Sequence, residues 1–463
     1  MTSTAGLGRD FRRLWAGYAI SEFGSAVGAG TLPLVAIIVL EAPAWQVSML
    51  AALSAAAAGA IALPVGGRID LSRKRPYMVG ADLVRFVALA SLPAAAAFGA
   101  LTITQLCLVG VANAAAAITF AAASGAHLKN LVPAELRTRA NSRMEATFWT
   151  ATSVGPPLGG LIVSVVGPLA TAAVDAVSYL GSAAWVRRIR TPEPPRAART
   201  DERWTAQLSA GWRYIYARAD LRALFVNSQI FGGAIMLASP ILPVLMLGQL
   251  GLAPWQYGLA VGVPAVGGIA GSLLTGALVR RYGSRRVLLG AGVARTVWMV
   301  LVPFAPPGTA GLVLIIVADT MLLLCAGVFG PLFVTYRMEA VGDDHLGRVL
   351  TTWSAGTRCV QPLFIAAGGV LAWLLGPAAA IGIAALLLLA SSVAAAMDRG
   401  RVRPSGPGAA HRRLARSYQP TAPGGWRPTA SDRPPGWPKA VDRIATARQP
   451  PQIEARGPPR RCT

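Results

Sequence analysis

Long apolar runs alternate along this chain with short polar connections, and the lengths of the runs carry the first structural reading. Twelve stretches, near 14–40, 46–66, 77–100, 104–126, 146–166, 169–186, 223–247, 257–279, 287–304, 310–333, 349–374 and 377–397, are almost free of charge. Each approaches the roughly 20 residues that a helix needs to cross a hydrocarbon layer about 30 Å thick. Inside lipid a backbone has no water to satisfy its amides, so each stretch is expected to be helical. The pattern predicts an all-α polytopic membrane protein with twelve transmembrane helices.

Charge placement then orients the spans. The connections after the first, third, fifth, seventh, ninth and eleventh spans hold one charge between them, Glu41. The alternate connections carry Arg12 and Arg13, then Arg68, Arg73, Lys74 and Arg75, then Lys129, Arg137, Arg139 and Arg143, and later Arg280, Arg281, Arg285 and Arg286. Basic connections stay on the cytoplasmic side. Both termini are therefore expected in the cytoplasm, with the chain in the inner (plasma) membrane.

The two halves repeat one another. At a shift of 210, Trp45-Gln46 falls on Trp255-Gln256, Gly66 on Gly276, Gly80-Ala81 on Gly290-Ala291, Arg85 on Arg295 and Pro93 on Pro303. Beyond the fourth span the shift is 209, and Arg139 matches Arg348, Gly159-Gly160 matches Gly368-Gly369, and Gly167-Pro168 matches Gly376-Pro377. Two six-helix bundles with the same orientation imply a pseudo-two-fold axis along the membrane normal, an architecture that rocks around a central site.

Four segments follow: a bundle over 1–190, a cytoplasmic linker over 191–222, a second bundle over 223–397, and a tail over 398–463. In the linker, Trp204, Leu208, Trp212, Ile215 and Tyr216 recur at about helical spacing on a basic background, as in a helix lying on the membrane surface. The tail is rich in Pro, Gly and Arg, with fourteen bases to four acids, and is expected to remain disordered.

Composition narrows the function. The 463 residues are 54% hydrophobic and 14% charged, too apolar for a water-soluble protein of this size. The net charge of +23 sits in clusters between apolar runs, which reads as membrane orientation and not as a nucleic-acid surface. Cys107, Cys325, Cys359 and Cys462 stand singly without metal-ligand spacing, and are expected to be packing residues. No phosphate-binding loop, metal cluster or nucleophile–base arrangement is present, and His127, His345 and His411 are expected in cytoplasmic segments. Neither an enzyme nor a cofactor or metal is expected.

Two motifs stand out. Between spans two and three, Gly66-Gly67-Arg68-Ile69-Asp70-Leu71-Ser72-Arg73-Lys74-Arg75 places a glycine, an acid and a basic cluster at one membrane face. The second-half copy keeps Gly276, Arg285 and Arg286 but has Arg280 in place of the acid. Glycine lets helices approach closely, while the acid and bases can hold a gate shut through ion pairs and a helix terminus. In span five, Gly155-Pro156-Pro157-Leu158-Gly159-Gly160 combines a lost helix hydrogen bond with small residues suited to close packing.

These motifs resemble those of the major facilitator superfamily over about residues 10–397. The first looks like that family's loop signature, with Leu71 where an arginine is usual; the second is similar to the Gly-Pro-x-x-Gly-Gly signature of its proton-coupled antiporters. Phe11-Arg12-Arg13-Leu14-Trp15, Asp82-x-x-Arg85, Leu131-Val132-Pro133 through Arg139-Ala140-Asn141, and Asp175-Ala176-Val177-Ser178-Tyr179 together resemble the twelve-helix branch holding macrolide, enterobactin and multidrug exporters. The resemblance implies export of small molecules driven by proton antiport. It leaves the substrate open.

Ionisable groups within spans are costly and require roles. Asp82 and Arg85 lie three apart on one helical face and are expected to neutralise each other as gate or scaffold residues, with Arg295 repeating Arg85. Asp175 is on span six, which the resemblance places at the periphery of its half, and is assigned to packing. Glu22 and Asp319 fall on spans one and ten, which in the superfamily line the central cavity. A carboxylate shielded from water favours its neutral form and can take up and release protons as the cavity changes sides. Glu22 and Asp319 are thus proton or cation-substrate candidates, and Arg358 is a candidate partner for Asp319. Span four has only Asn113 at its core and lacks the buried arginine of many related drug exporters. Phe23, Phe120, Phe231 and Phe329, with Asn227 and Gln229, are candidate cavity residues; such a cavity suits bulky amphipathic molecules such as antibiotics or siderophores.

A proton-driven exporter, working as a monomer among membrane lipids on a small-molecule substrate, is the leading expectation. An importer or lysophospholipid-type lipid transporter on the same scaffold is the second, and a non-transporting membrane sensor or scaffold using the tail as its output is the third.

Overall fold

The computed structural model describes residues 7–70, 72–193, 204–341 and 343–397. The first half contains α1 (Arg9–Val27), α2 (Thr31–Leu34), α3 (Ala44–Asp70), α4 (Lys74–Ala97), α5 (Ile103–Leu131), α6 (Arg137–Val166) and α7 (Pro168–Arg187). Then come α8 (Trp204–Ala217), α9 (Ala219–Ala238), α10 (Leu242–Val244), α11 (Pro254–Gly262), α12 (Pro264–Tyr282), α13 (Ser284–Val297), α14 (Thr309–Ala340), α15 (Asp343–Leu375) and α16 (Pro377–Met397). No strand occurs among the described residues. Among the described residues, eleven helical stretches are long and apolar enough to cross a membrane. The twelfth predicted span coincides with α16, whose described apolar stretch, Pro377–Ser392, is shorter than the others.

The duplication is written into the backbone as well as into residue identities. α1 runs through α2 into a π-helical turn at Val35–Val39, and α9 runs through α10 into another at Leu245–Gln249, 210 residues later. A π turn holds one residue more than an α turn and shifts the helix face beyond it. Each is followed at the same spacing by a positive φ, 49° at Glu41 and 64° at Gly251. The second copy has the residue that tolerates this conformation; the first carries a side chain there at some cost. Gly167 and Gly376, at φ 85° and 88°, likewise turn the chain before Pro168 and Pro377 open the sixth helix of each half.

Within the first half α3 packs on α5, α4 on α5 and α7, and α1 on α6 and α7; within the second, α12 and α13 pack on α14, and α15 and α16 on α9. Two seams join the halves, α6 against α11 and α3 against α15. Small residues make both. A Cβ added to Gly160 would stand 2.5 Å from the Pro254 carbonyl oxygen, 3.0 Å from the Trp255 Cα and 3.1 Å from the Gly258 Cα. At its repeat position, a Cβ on Gly369 would stand 2.5 Å from the Ser48 Cβ and 3.6 Å from the Trp45 Cα. Ser48 and Trp45 are the first-half counterparts of Gly258 and Trp255. The two seams are therefore one contact built twice about the pseudo-two-fold axis.

Three observations extend the reading from sequence. α8 docks against α15: Ile215 is buried, Trp212 meets Phe225 edge-on at 5.3 Å, and Gly211 lies against Thr352 and the Arg348 carbonyl. This end of the linker shares a core with the second half through Phe225, Val349 and Trp353. His127, expected in a cytoplasmic segment, is on the last turns of α5, where it is 1% exposed. The tail at 398–463 lies outside the described residues.

Candidate functional site

Between the halves lies a cavity of about 370 Å³. The first half supplies Val27, Gly30, Thr31 and Leu34 from α1 and α2, and Pro156, Gly159, Gly160 and Val163 from α6. The second supplies residues of α9 to α12 with Met299, and Asp319, Leu322 and Leu323 from α14. The sequence places those wall residues by simple means. Glycines at 159 and 160 let α6 approach both α1 and α11, since a Cβ on Gly159 would strike the Val27 carbonyl. The prolines at 156 and 157 pack under Gly258 and Gly262 of α11.

The wall is apolar apart from Thr31, Ser239, Tyr257 and Asp319. Asp319 is its one carboxylate. No hydrogen bond or ion pair is formed by Asp319 among the described residues. Asp319 is half-buried, and the Thr31 hydroxyl nearby on the wall is buried without a partner. An ionised carboxylate on so apolar a wall is poorly compensated, a setting that favours a proton on it or a cation beside it.

Arg358, the candidate partner, is elsewhere. Its backbone and Cβ abut Gly59 at the α3–α15 seam, and it forms no ion pair with Asp319. Glu22 is half-buried on α1 and does not line the cavity; the charge nearest it in effect is Arg85. Of the six apolar and polar candidates, none is a cavity wall residue. Phe120 is buried in the first-half core, Gln229 donates to the Thr357 hydroxyl at 3.1 Å, Asn227 donates to the Ser391 carbonyl at 2.5 Å, and Phe231 and Phe329 hold Arg295. Phe23 is 36% exposed. Helical spacing alone cannot separate a cavity-facing aromatic from one packed inside its own bundle.

The intramembrane charges are arranged differently from a simple Asp82–Arg85 pair. Arg85 is buried and donates to Asn113 Oδ1 at 2.9 Å, Ser25 Oγ at 3.0 Å and Ser21 Oγ at 3.4 Å, with its guanidinium 3.9 Å over the Tyr179 ring. Asp82 is buried one turn away with both carboxylate oxygens unpartnered. Arg295 in the second half makes no hydrogen bond among the described residues and is clamped between Phe231 at 3.7 Å and Phe329 at 3.6 Å. Helix geometry allows the i,i+3 pair, but better-placed neutral acceptors on α1 and α5 take the guanidinium instead.

At the basic end, the gate motif residues divide. Gly66 and Asp70 are on α3, and the surroundings of both lie outside what is described. Arg73 caps α4 from an extended conformation. The amides of Lys74 and Arg75 both donate to the Glu193 carboxylate, Arg75 at 2.9 Å, and the Arg75 guanidinium donates to the Ile189 carbonyl. Asp10 holds the same segment from the other side, accepting from the Thr191 amide at 2.7 Å, the Arg190 amide at 3.1 Å and Arg13 at 2.6 Å. Sequence reasoning missed Glu193 and Asp10, although an acid opposite a helix N-terminus is the available signal. In the second copy Gly276, Arg285 and Arg286 form no such latch among the described residues, and both arginines are exposed.

Comparison with known proteins follows the same lines. The profile described as transmembrane secretion effector matches residues 2–332, and that described as Major Facilitator Superfamily matches residues 224–446. The chain is 28% identical over 321 residues to the multidrug efflux pump Tap of Mycolicibacterium fortuitum, covering 67% of this chain and 76% of that protein. It is 25% identical over 358 residues to the uncharacterized MFS-type transporter y4rN of Sinorhizobium fredii, covering 76% and 82%. Among solved structures it resembles the nucleoside transporter NupG, with a TM-score of 0.67, 13% identity and coverage of 86% and 100%. It also resembles a bacterial homologue of the iron transporter ferroportin in its inward-facing state, at 0.63, 17%, 84% and 100%.

Proposed function

The chain belongs to the major facilitator superfamily, and on that footing we propose that it exports amphipathic small molecules in exchange for protons. It is a multi-pass membrane transporter, not an enzyme. The observation that carries the export reading is the cavity of about 370 Å³ between the halves, apolar over most of its wall and holding one unpaired carboxylate, Asp319. An apolar wall with few fixed polar groups favours greasy substrates over sugars, which need many hydrogen bonds. The name of the efflux-pump relative at 28% identity supports the same direction of transport.

Proton and substrate then compete for one group. With the cavity facing the cytoplasm, a substrate bearing positive charge or a strong hydrogen-bond donor displaces the proton from Asp319. With the cavity facing outward, the proton returns and the substrate leaves. A buried ionised carboxylate costs several kcal/mol unless paired, so the empty ionised form is disfavoured during the turnover between the two orientations. Protonation or occupancy thus becomes the condition for rocking. Glu22 and Arg358 stand outside this cavity and act, in this reading, on α1 and on the α3–α15 seam.

The test is flux in inside-out vesicles carrying the protein, with tetraphenylphosphonium as probe and an imposed pH gradient. Asp319→Asn should bind the probe poorly and lose pH-driven uptake into the vesicles. Wild-type rates in that variant would reject the assignment of Asp319, and probe movement in the opposite direction would reject export.

A further inference from the structure

The second half of this protein is an internal control for the first. Arg85 and Arg295 are repeat counterparts, and both are buried. Around Arg85 stand Asp82, Asp175, Tyr179, Ser21, Ser25 and Asn113. At the corresponding second-half positions are Gly292, Ala384, Leu388, Phe231 and Ile235, and for Asn113 a leucine at either shift, Leu322 or Leu323. A six-helix bundle of this kind can therefore be closed around the arginine with no acid at all. Ala384 and Leu388 are fully buried, so the space is filled by hydrocarbon. The carboxylates of the first half are not needed to build it.

Asp175 is 4% exposed, and its Oδ1 has no hydrogen-bond partner. It faces the glycine side of α1. A Cβ on Gly28 would come within 2.7 Å of the Asp175 Cγ, and one on Gly24 within 3.2 Å of Oδ1. α1 is the helix that continues into the cavity wall at Val27, Gly30 and Thr31. Arg85, beside Asp175, spends two of its donors on α1, at Ser25 and Ser21. The same guanidinium can hold α1 by those hydroxyls or turn to a carboxylate, and the two uses compete. We propose that Asp175 is a proton-binding site in the interior of the first half, and that Arg85 exchanges between α1 when Asp175 is protonated and Asp175 when it is ionised.

The described arrangement fits the protonated form, because Asp175 takes no ion pair and Arg85 is committed to α1. Loss of the proton leaves a buried anion whose available counter-charge is Arg85; moving the guanidinium frees Ser21 and Ser25 and loosens the tie between α1 and α4. The neighbouring groups are few. On α4 they are Asp82 and Arg85 itself; on α7, Tyr179, whose hydroxyl is 2.9 Å from Ser25 Oγ; and on α1, Glu22, whose electrostatic partner is also Arg85. α5 presents Asn113, and α2 and the turn at 35–39 carry no ionisable residue. The charges of α6 lie at 137–145, about four turns from the level of Asp175.

This inference rests on the exchange of protons proposed above, but its site is separate from the Asp319 cavity. The two can be tested apart. Full-length protein in lipid nanodiscs is examined by infrared difference spectroscopy between acidic and alkaline buffer, which reads the carbonyl stretch of protonated buried carboxyls. The wild type should lose a carboxyl band on the alkaline side; Asp175→Asn should lack that component, while Asp82→Asn and Asp319→Asn should retain it. Ser25→Ala, a milder change, frees Arg85 for the carboxylate, so the component should vanish at a lower pH, with proton affinity down about tenfold. An unchanged component in Asp175→Asn, its loss in Asp82→Asn instead, or no movement in Ser25→Ala would overturn the proposal. Absence of proton-driven probe flux in a wild-type protein that still shows the Asp175 component would defeat the transport reading alone.

Discussion

Replacing Gly160 by alanine adds one methyl group at the seam between α6 and α11, and the structure sets what it must displace. The methyl would lie 2.5 Å from the Pro254 oxygen, where ordinary contact begins near 3.4 Å, so α11 must retreat by about 0.9 Å. The three nearest atoms are all backbone, and no rotamer change relieves the clash. Overpacking of this kind costs about 1–3 kcal/mol. The cost falls on the conformation in which this seam is closed and vanishes in one where the halves have parted there. The population ratio should therefore move by roughly 5- to 150-fold toward the parted state. Spin labels at Ala100 and Pro307, exposed positions at the end remote from the basic connections, report the separation by pulsed electron resonance. Gly160→Ala should enlarge the long-distance population. Gly80→Ala, where nothing lies within 4 Å of the added Cβ, should leave it unchanged. A wild-type distance distribution in Gly160→Ala would refute the claim that this contact governs the two states.

Other consequences can be checked separately. Gly369→Ala, at the repeat-related seam, should shift the same distance distribution in the same direction, because Ser48 Cβ is fixed to its backbone 2.5 Å from the new methyl. Glu193→Ala removes the acceptor of two helix-terminal amides, and hydrogen exchange at Lys74 and Arg75 should speed up as about 1–3 kcal/mol of local stability is lost; unchanged protection would mean the latch is ornamental. Arg85→Met should destabilise the protein by about 1–3 kcal/mol more than Arg295→Met, measured by thermal unfolding in detergent, because only the first leaves buried hydrogen-bond acceptors without their donor. Equal losses would contradict the reading of Arg295 as an arginine held by rings alone.

Much of the fold was legible because its causes are local. Run length and charge placement foretell the spans, and the repeat shift foretells the matched seams; Gly160 with Trp255 and Gly369 with Trp45 are the same residues that made the duplication visible. Asp319 could be singled out because a charge in the middle of α14 has no cheap alternative to a cavity. The partners of the buried charges were not legible. Asp82 and Arg85 share a helical face, yet the guanidinium is taken by Ser21, Ser25 and Asn113, which lie on two other helices. The same limit applies to Phe231 and Phe329, whose spacing fits a cavity wall but whose rings close on Arg295. Glu193 was missed because its role depends on which helix terminus the chain returns to, and that is a fact of tertiary structure.

In the mechanism proposed above, the two halves rock about a cavity whose carboxylate, Asp319, is occupied in turn by proton and substrate. Distances measured at both ends of the protein test it most directly. One label pair is Ala100 and Pro307; the other is Arg73 and Ser284, exposed residues at the basic end of each half. Measured in nanodiscs across pH and with tetraphenylphosphonium, the two distances should change reciprocally, one lengthening as the other shortens, and Asp319→Asn should abolish the response to the probe. Distances that move together, or that stay fixed while the probe binds, would contradict the account.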